Sequence, residues 1–127
     1  MNSEIRFAED AKQHLAELAA SEIEEFWVLA LSPSKKVLSK KMLFRGTVDA
    51  CMVHPRDVFR YALVCNASSL IIAHNHPSGE AYPSEQDITT TEQMIKAGKL
   101  LQIPVLDHLL LTKTEFASFA RKRWARF

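Results

Sequence analysis

Apolar residues recur along this chain in two rhythms. Within residues 8–20, Ala8, Ala11, Leu15, Leu18 and Ala19 fall at helical spacing among polar neighbours, which predicts an amphipathic helix. The run FWVLALS (26–32) breaks that rhythm. It is short, continuously apolar and bounded by SPSKK, the pattern of a strand buried on both faces with a turn at 32–36. VLSKKMLFRG reads as the returning strand, stopped at Gly46, so a hairpin is the simplest connection.

The second half alternates helix and strand. Pro55 suits the first position of a helix, where its missing N–H costs nothing, and RDVFRYALVCN continues that helix with Val58, Ala62 and Cys65 on one side. SSLIIAH reads as another buried strand ending on His74, SEQDITTTEQMIKAGKLLQ as a long helix ending between Gly98 and Gln102, and IPVLDHLLLT as a further strand. EFASFARKRWARF looks helical, and its basic tip RKRWAR reads as a solvated helix end rather than a nucleic-acid site. Strands interleaved with helices predict an α/β or α+β domain built on a mixed sheet. Neither repeats nor linkers interrupt it.

Composition narrows the function classes. A chain of 127 residues with 47% apolar residues fits one compact domain with a proper core, and three glycines and five prolines argue against disorder. A net charge of +1 gives no general pull toward nucleic acid or membrane. Cys51 and Cys65, without CxxC spacing and in apolar surroundings, read as buried thiols in a reducing compartment. The start MNSEIRFAED lacks the features of a signal peptide, and no apolar run approaches the roughly 20 residues that span a bilayer. A soluble cytoplasmic protein is the expectation, with its oligomeric state open.

Candidate chemistry gathers in HNHPSGEAYPSEQD, residues 74–87. If a strand runs through His74 and His76, both imidazoles leave on the same side and can hold one cation. A catalytic zinc keeps a position open for water and needs a third protein ligand, for which Asp87 is the candidate. Ser84 and Asp87, three apart at a helix start, share a face. A hydroxyl there can donate to an oxyanion developing on a substrate carbonyl. The plainer reading stands beside this one: a serine three residues before an acid at a helix start is close to a capping box, and most histidine pairs on loops bind nothing. The full string, HxH, seven residues, SxxD, is more specific than either half.

That string resembles the JAMM motif of the MPN-type zinc metalloproteases. The wider wording LFRGT, HPRDVFRYAL, AHNHPSG, PSEQD and LDHLLL, in that order, resembles the bacterial RadC family over residues from about Glu24 to Phe119. The resemblance implies a curved mixed sheet flanked by helices, of the cytidine-deaminase-like type, in a single domain over 1–127 with its core at about 24–119. It implies zinc on His74, His76 and Asp87, with Ser84 stabilising the oxyanion. It also implies a glutamate general base on the first strand, two residues before an aromatic, which selects Glu24 before Phe26. Strand geometry supplies a test: Glu24 shares a face with Phe26, Val28 and Ala30, and Glu25 shares one with Trp27 and Leu29. A charged residue at the mouth of an apolar strand has a plainer reading as a solvated end, and Glu25 stays the alternative to Glu24 as base.

The expected function is therefore a zinc-dependent hydrolase, a metallopeptidase or isopeptidase acting on a peptide or protein substrate. The rival is a partner-binding module without catalysis in DNA repair or recombination, the role historically attached to the RadC name. Zinc nucleobase deamination, on a related fold, is disfavoured by the absent Cys-x-x-Cys ligand pair. The HNH nuclease motif does not apply, because its residues are spread over a ββα unit. Asn75, where deubiquitinating JAMM members usually have serine or threonine, is normal for the RadC branch. Asp107-His108 reads first as a buried hydrogen-bonded pair and second as a pair supporting the metal ligands. RadC proteins usually carry an N-terminal helical region with a helix-hairpin-helix look. Only a short helix precedes the core here, so what that region does elsewhere is not carried over.

Overall fold

The structure, a computed structural model, describes residues 4–46 and 53–127. Five strands form one sheet: β1 (Glu25–Leu31), β2 (Val37–Arg45), β3 (Ser69–Asn75), β4 (Val105–Leu111) and β5 (Phe116–Ser118), in the order β2-β1-β3-β4-β5. The β3–β4 pair is parallel and the other three pairs are antiparallel. The mixed α/β architecture expected from the alternating pattern is what the structure has.

Both central strands are buried along their whole length, which is why their sequences run apolar without alternation. The residues divide between two cores by strand parity. Phe26, Val28, Ala30, Leu70 and Ile72 face α3 (Pro55–Val64) and α4 (Glu85–Leu101), meeting Val58, Phe59, Ala62, Met94 and Ile95. Trp27, Leu29, Leu31, Ile71 and Ala73 face the N-terminal segment, meeting Ala11, Leu15 and Leu18. Among the described residues no helix is long and apolar enough to cross a membrane.

Two expectations are corrected. The N-terminal helix is not continuous: α1 (Ala8–Lys12) and α2 (Ala16–Ala20) are separated by a 3-10 turn, Gln13–Leu15. Leu15 leaves helical angles at φ −119°, and the break keeps Ala11, Leu15 and Leu18 all buried against the sheet. The C-terminal segment does not begin as helix. Phe116–Ser118 pairs with Leu109–Leu111 as β5, and only then does α5 (Phe119–Lys122) follow, capped by the Ser118 hydroxyl. The basic residues of the tip are exposed, as at a solvated helix end; within it Arg121 makes two hydrogen bonds to the Glu9 carboxylate and Trp124 packs edge-on against Phe119 and Tyr82. Cys65 is half-buried rather than fully buried, and Cys51 lies outside the described residues.

Gly98 sets how closely α4 approaches the sheet. A β-carbon there would lie 2.7 Å from the Ile103 carbonyl oxygen and 3.2 Å from the Val105 nitrogen, both backbone atoms that no rotamer change can move. Gly98→Ala is therefore expected to cost about 1–3 kcal/mol as an overpacking change, although alanine is the better helix former. The midpoint of urea unfolding measures it.

Candidate metal centre

β3 delivers the first ligand. His74 is buried, with its side chain on the face that carries Phe26, Ile72 and α4. The strand ends at Asn75, yet the His76 N–H still donates to the Leu111 carbonyl at 2.9 Å, so the extended path continues one residue further. The two rings consequently leave on the same side, with centroids 4.9 Å apart and Nε2 atoms 3.1 Å apart. The Glu80 carbonyl lies 3.0 Å from His76 Nδ1; a carbonyl only accepts, so that nitrogen carries the hydrogen and Nε2 is the lone-pair nitrogen of the neutral ring.

α4 delivers the third candidate ligand through its cap. Ser84 Oγ accepts from the Asp87 N–H at 3.0 Å while Asp87 Oδ2 accepts from the Ser84 N–H at 2.8 Å, a complete capping box. The same Oδ2 lies 3.5 Å from His74 Nε2 and 3.4 Å from His76 Nε2. The cap reading of SxxD is correct, and it is compatible with the ligand reading, because the cap aims the carboxylate at the imidazoles. Ser84 itself is exposed, and a hydroxyl that accepts at a cap can still donate.

His74, His76 and Asp87 are a group that could hold a metal ion, with one ligand atom from each inside 4.8 Å of the others. The finer spacing fits zinc. A tetrahedral shell with bonds of about 2.0–2.1 Å places its ligand atoms about 3.3–3.4 Å apart. The three separations here are 3.1, 3.4 and 3.5 Å. Burial of the Asp87 carboxyl favours its neutral form, but hydrogen bonds with His74 and His76, the charge of His74 and the Ser84 N–H outweigh this and hold it well below the usual carboxylate range. The Asp87 hydrogen bond raises the affinity of His76 for a proton. Burial opposes that rise, while the Glu80 carbonyl and the charges of Asp87 and Glu24 add to it. These are groups whose electron pairs converge on one point, where a cation serves them all.

Behind His74 lies a polar chain inside the core. His74 Nδ1 is 2.6 Å from His108 Nε2 on β4, His108 Nδ1 is 2.6 Å from Thr91 Oγ1 on α4, and Thr91 Oγ1 donates to the Asp87 carbonyl at 2.7 Å. His108 stacks on Phe119, with 4.2 Å between ring centroids, and burial pushes its pKa well below the ordinary imidazole value. The Asp107-His108 pair is thus divided. His108 turns to the metal centre, whereas Asp107 accepts from the Ala120 N–H and the Ser118 hydroxyl at the start of α5.

A family model described as the RadC-like JAB domain matches residues 5–124. The chain belongs to the RadC family. It is 44% identical over 108 residues to a UPF0758 protein of Actinobacillus succinogenes, an alignment covering 85% of this chain and 49% of that protein. The chain therefore spans about half the length of the curated relative it matches.

In this RadC-family chain the two adjacent glutamates part as strand parity predicts. Glu25 goes with Trp27, and it is buried rather than solvated. Its carboxylate accepts from Trp27 Nε1 at 2.9 Å and from the Ser21 hydroxyl at 3.1 Å, and it pairs with Arg45 at 3.2 Å. Glu24, one residue earlier, is half-buried, and its charge adds to the rise in the proton affinity of His76. Asn75, the middle residue of HNH, holds this arrangement and escaped the sequence reading. Its Oδ1 accepts from the Glu25 N–H at 2.7 Å, and its Nδ2 donates to the Ile23 carbonyl at 3.0 Å and the Ser21 carbonyl at 3.3 Å. One amide thus grips the backbone on both sides of Glu24. The signal was the period-two alternation itself, which turns Asn75 away from its histidine neighbours and toward β1.

Proposed function

We propose that this domain is a zinc-dependent hydrolase, a metallopeptidase or isopeptidase that cleaves an amide bond in a peptide or protein substrate. The observation that carries the reading is the convergence of two imidazole nitrogens and one carboxylate oxygen at tetrahedral-edge spacing. His74, His76 and Asp87 would hold the ion. Zinc held there would supply Lewis acidity and make water a nucleophile near neutral pH.

The chain's own residues do the rest. A Glu24 carboxylate oxygen accepts the proton of the attacking water and returns it to the departing amine nitrogen. The Ser84 hydroxyl donates to the oxyanion that develops on the substrate carbonyl. Asn75 keeps Glu24 in place from behind the strand. The partner-binding alternative has less support, because a scaffold has no use for a converging ligand set. Arg121, part of the basic terminal run, is moreover engaged with Glu9.

The test is incubation of the zinc-loaded protein with a library of linear peptides and lysine isopeptides, read by mass spectrometry. Cleavage that stops on chelation and returns with zinc is the expected result. If protein with full zinc occupancy leaves every member intact, the hydrolase reading gives way to the binding module.

Ser84 can be examined separately. Ser84→Ala is expected to lower stability by about 0.5–2 kcal/mol through the lost cap and turnover by about 10²–10³-fold through the lost donor. Ser84→Asn keeps a good cap, so its unfolding midpoint should stay near wild type while turnover stays low. Wild-type turnover in that variant would remove the hydroxyl from the mechanism.

A further inference from the structure

We infer that His108 and Thr91 are positioning residues that dictate which nitrogen of His74 is bare and tie that ligand to Asp87. The inference deepens the metal-binding reading above and rests on it for its effect on zinc. Donor logic leads to it. A carbonyl oxygen only accepts, so the Thr91 hydroxyl hydrogen is spent on the Asp87 carbonyl at 2.7 Å. The Thr91 oxygen can then only accept from His108 Nδ1, 2.6 Å away, and that nitrogen must carry a hydrogen.

The His108 ring is 1% exposed, lies flat on Phe119 and edge-on to Phe26, and has no carboxylate among its hydrogen-bond partners. As a neutral ring with its one hydrogen on Nδ1, it presents a bare Nε2 to His74. His74 Nδ1, 2.6 Å away, must therefore be the donor. His74 Nε2 is left with its lone pair, aimed at His76 Nε2 and Asp87 Oδ2. The hydrogens run one way, from His74 to His108 to Thr91 to the backbone of Asp87. The strand ligand and the helix ligand are thereby joined through the core. His76 has a separate anchor in the Glu80 carbonyl, so a change at His108 does not reach it through this chain.

Nitrogen-15 spectra of the imidazoles decide the tautomer in the metal-free wild type at about pH 8, above the unperturbed imidazole pKa. The expected His74 carries its hydrogen on Nδ1; the opposite tautomer overturns the inference whether or not the protein binds zinc. His108→Phe keeps a ring against Phe119 and removes both nitrogens. It is expected to raise the zinc dissociation constant, measured by chelator competition, about 10–100-fold and to let His74 sample both tautomers. His108→Gln, which offers both an acceptor and a donor, should recover most of the affinity. If His108→Phe does not fold, Thr91→Val and Thr91→Ser decide: valine is expected to weaken zinc binding and serine to retain it. Variants that melt earlier yet keep the His74 tautomer and wild-type zinc affinity would reduce the chain to packing and overturn the inference. A wild type that takes up no zinc refutes the metal reading instead, and the tautomer spectrum still judges the inference.

Discussion

Glu24→Gln is expected to lower amide hydrolysis by about 10²–10⁴-fold, the usual worth of positioned proton transfer, while zinc content and melting temperature stay near wild type. Glutamine keeps the size and most of the polarity of the side chain, and Glu24 is not one of the three converging ligand residues. Glu25→Gln is the control with the opposite signature. Glu25 is buried among Trp27, Ser21 and Arg45 on the far side of β1, so its replacement should leave turnover nearly intact and cost about 1–3 kcal/mol of stability. Steady-state kinetics and thermal unfolding on both variants separate the two roles. Interchanged phenotypes would assign the proton transfer to Glu25 and contradict the strand parity seen here.

The second large effect concerns the metal. Zinc at about one ion per chain in the wild type, falling to background in a His74→Ala, His76→Ala double variant, is the expected result of elemental analysis after purification without chelator and zinc titration. The histidines are the cleaner targets. Removing the Asp87 carboxylate would also remove half of the capping box of α4, so metal loss would be mixed with helix fraying. Full zinc occupancy in the double variant would place the ion elsewhere.

The sheet was legible in the sequence because its central strands are buried on both faces, and FWVLALS and SLIIAH write that burial as unbroken apolar runs. The three candidate ligands were legible because metal binding demands particular residue types and all lie within residues 74–87. What stayed hidden depends on distant partners. β5 is three residues long and extended only because Leu109–Leu111 offers it a free edge, whereas its own composition suits a helix equally well. Leu15 interrupts a regular apolar stripe to fit the sheet beneath it. Asn75 gave no sign of its contacts, and for His108 the supporting role was only the second reading, without its partners. Their roles arise from bonds to Glu25, 50 positions away, and His74, 34 positions away.

That contrast between near ligands and far supports bears on how zinc would act on the folding equilibrium. His74, His76 and Asp87 remain neighbours along the chain when the protein unfolds, whereas Asn75 parts from Glu25 and His108 from His74. The denatured ensemble thus keeps a crude chelator of its own. Ligand stabilisation reflects the preference for the native over the unfolded state, not native affinity alone. The rise in melting temperature on adding zinc should accordingly fall short of what the native dissociation constant implies, by the amount that the loose 74–87 segment still binds.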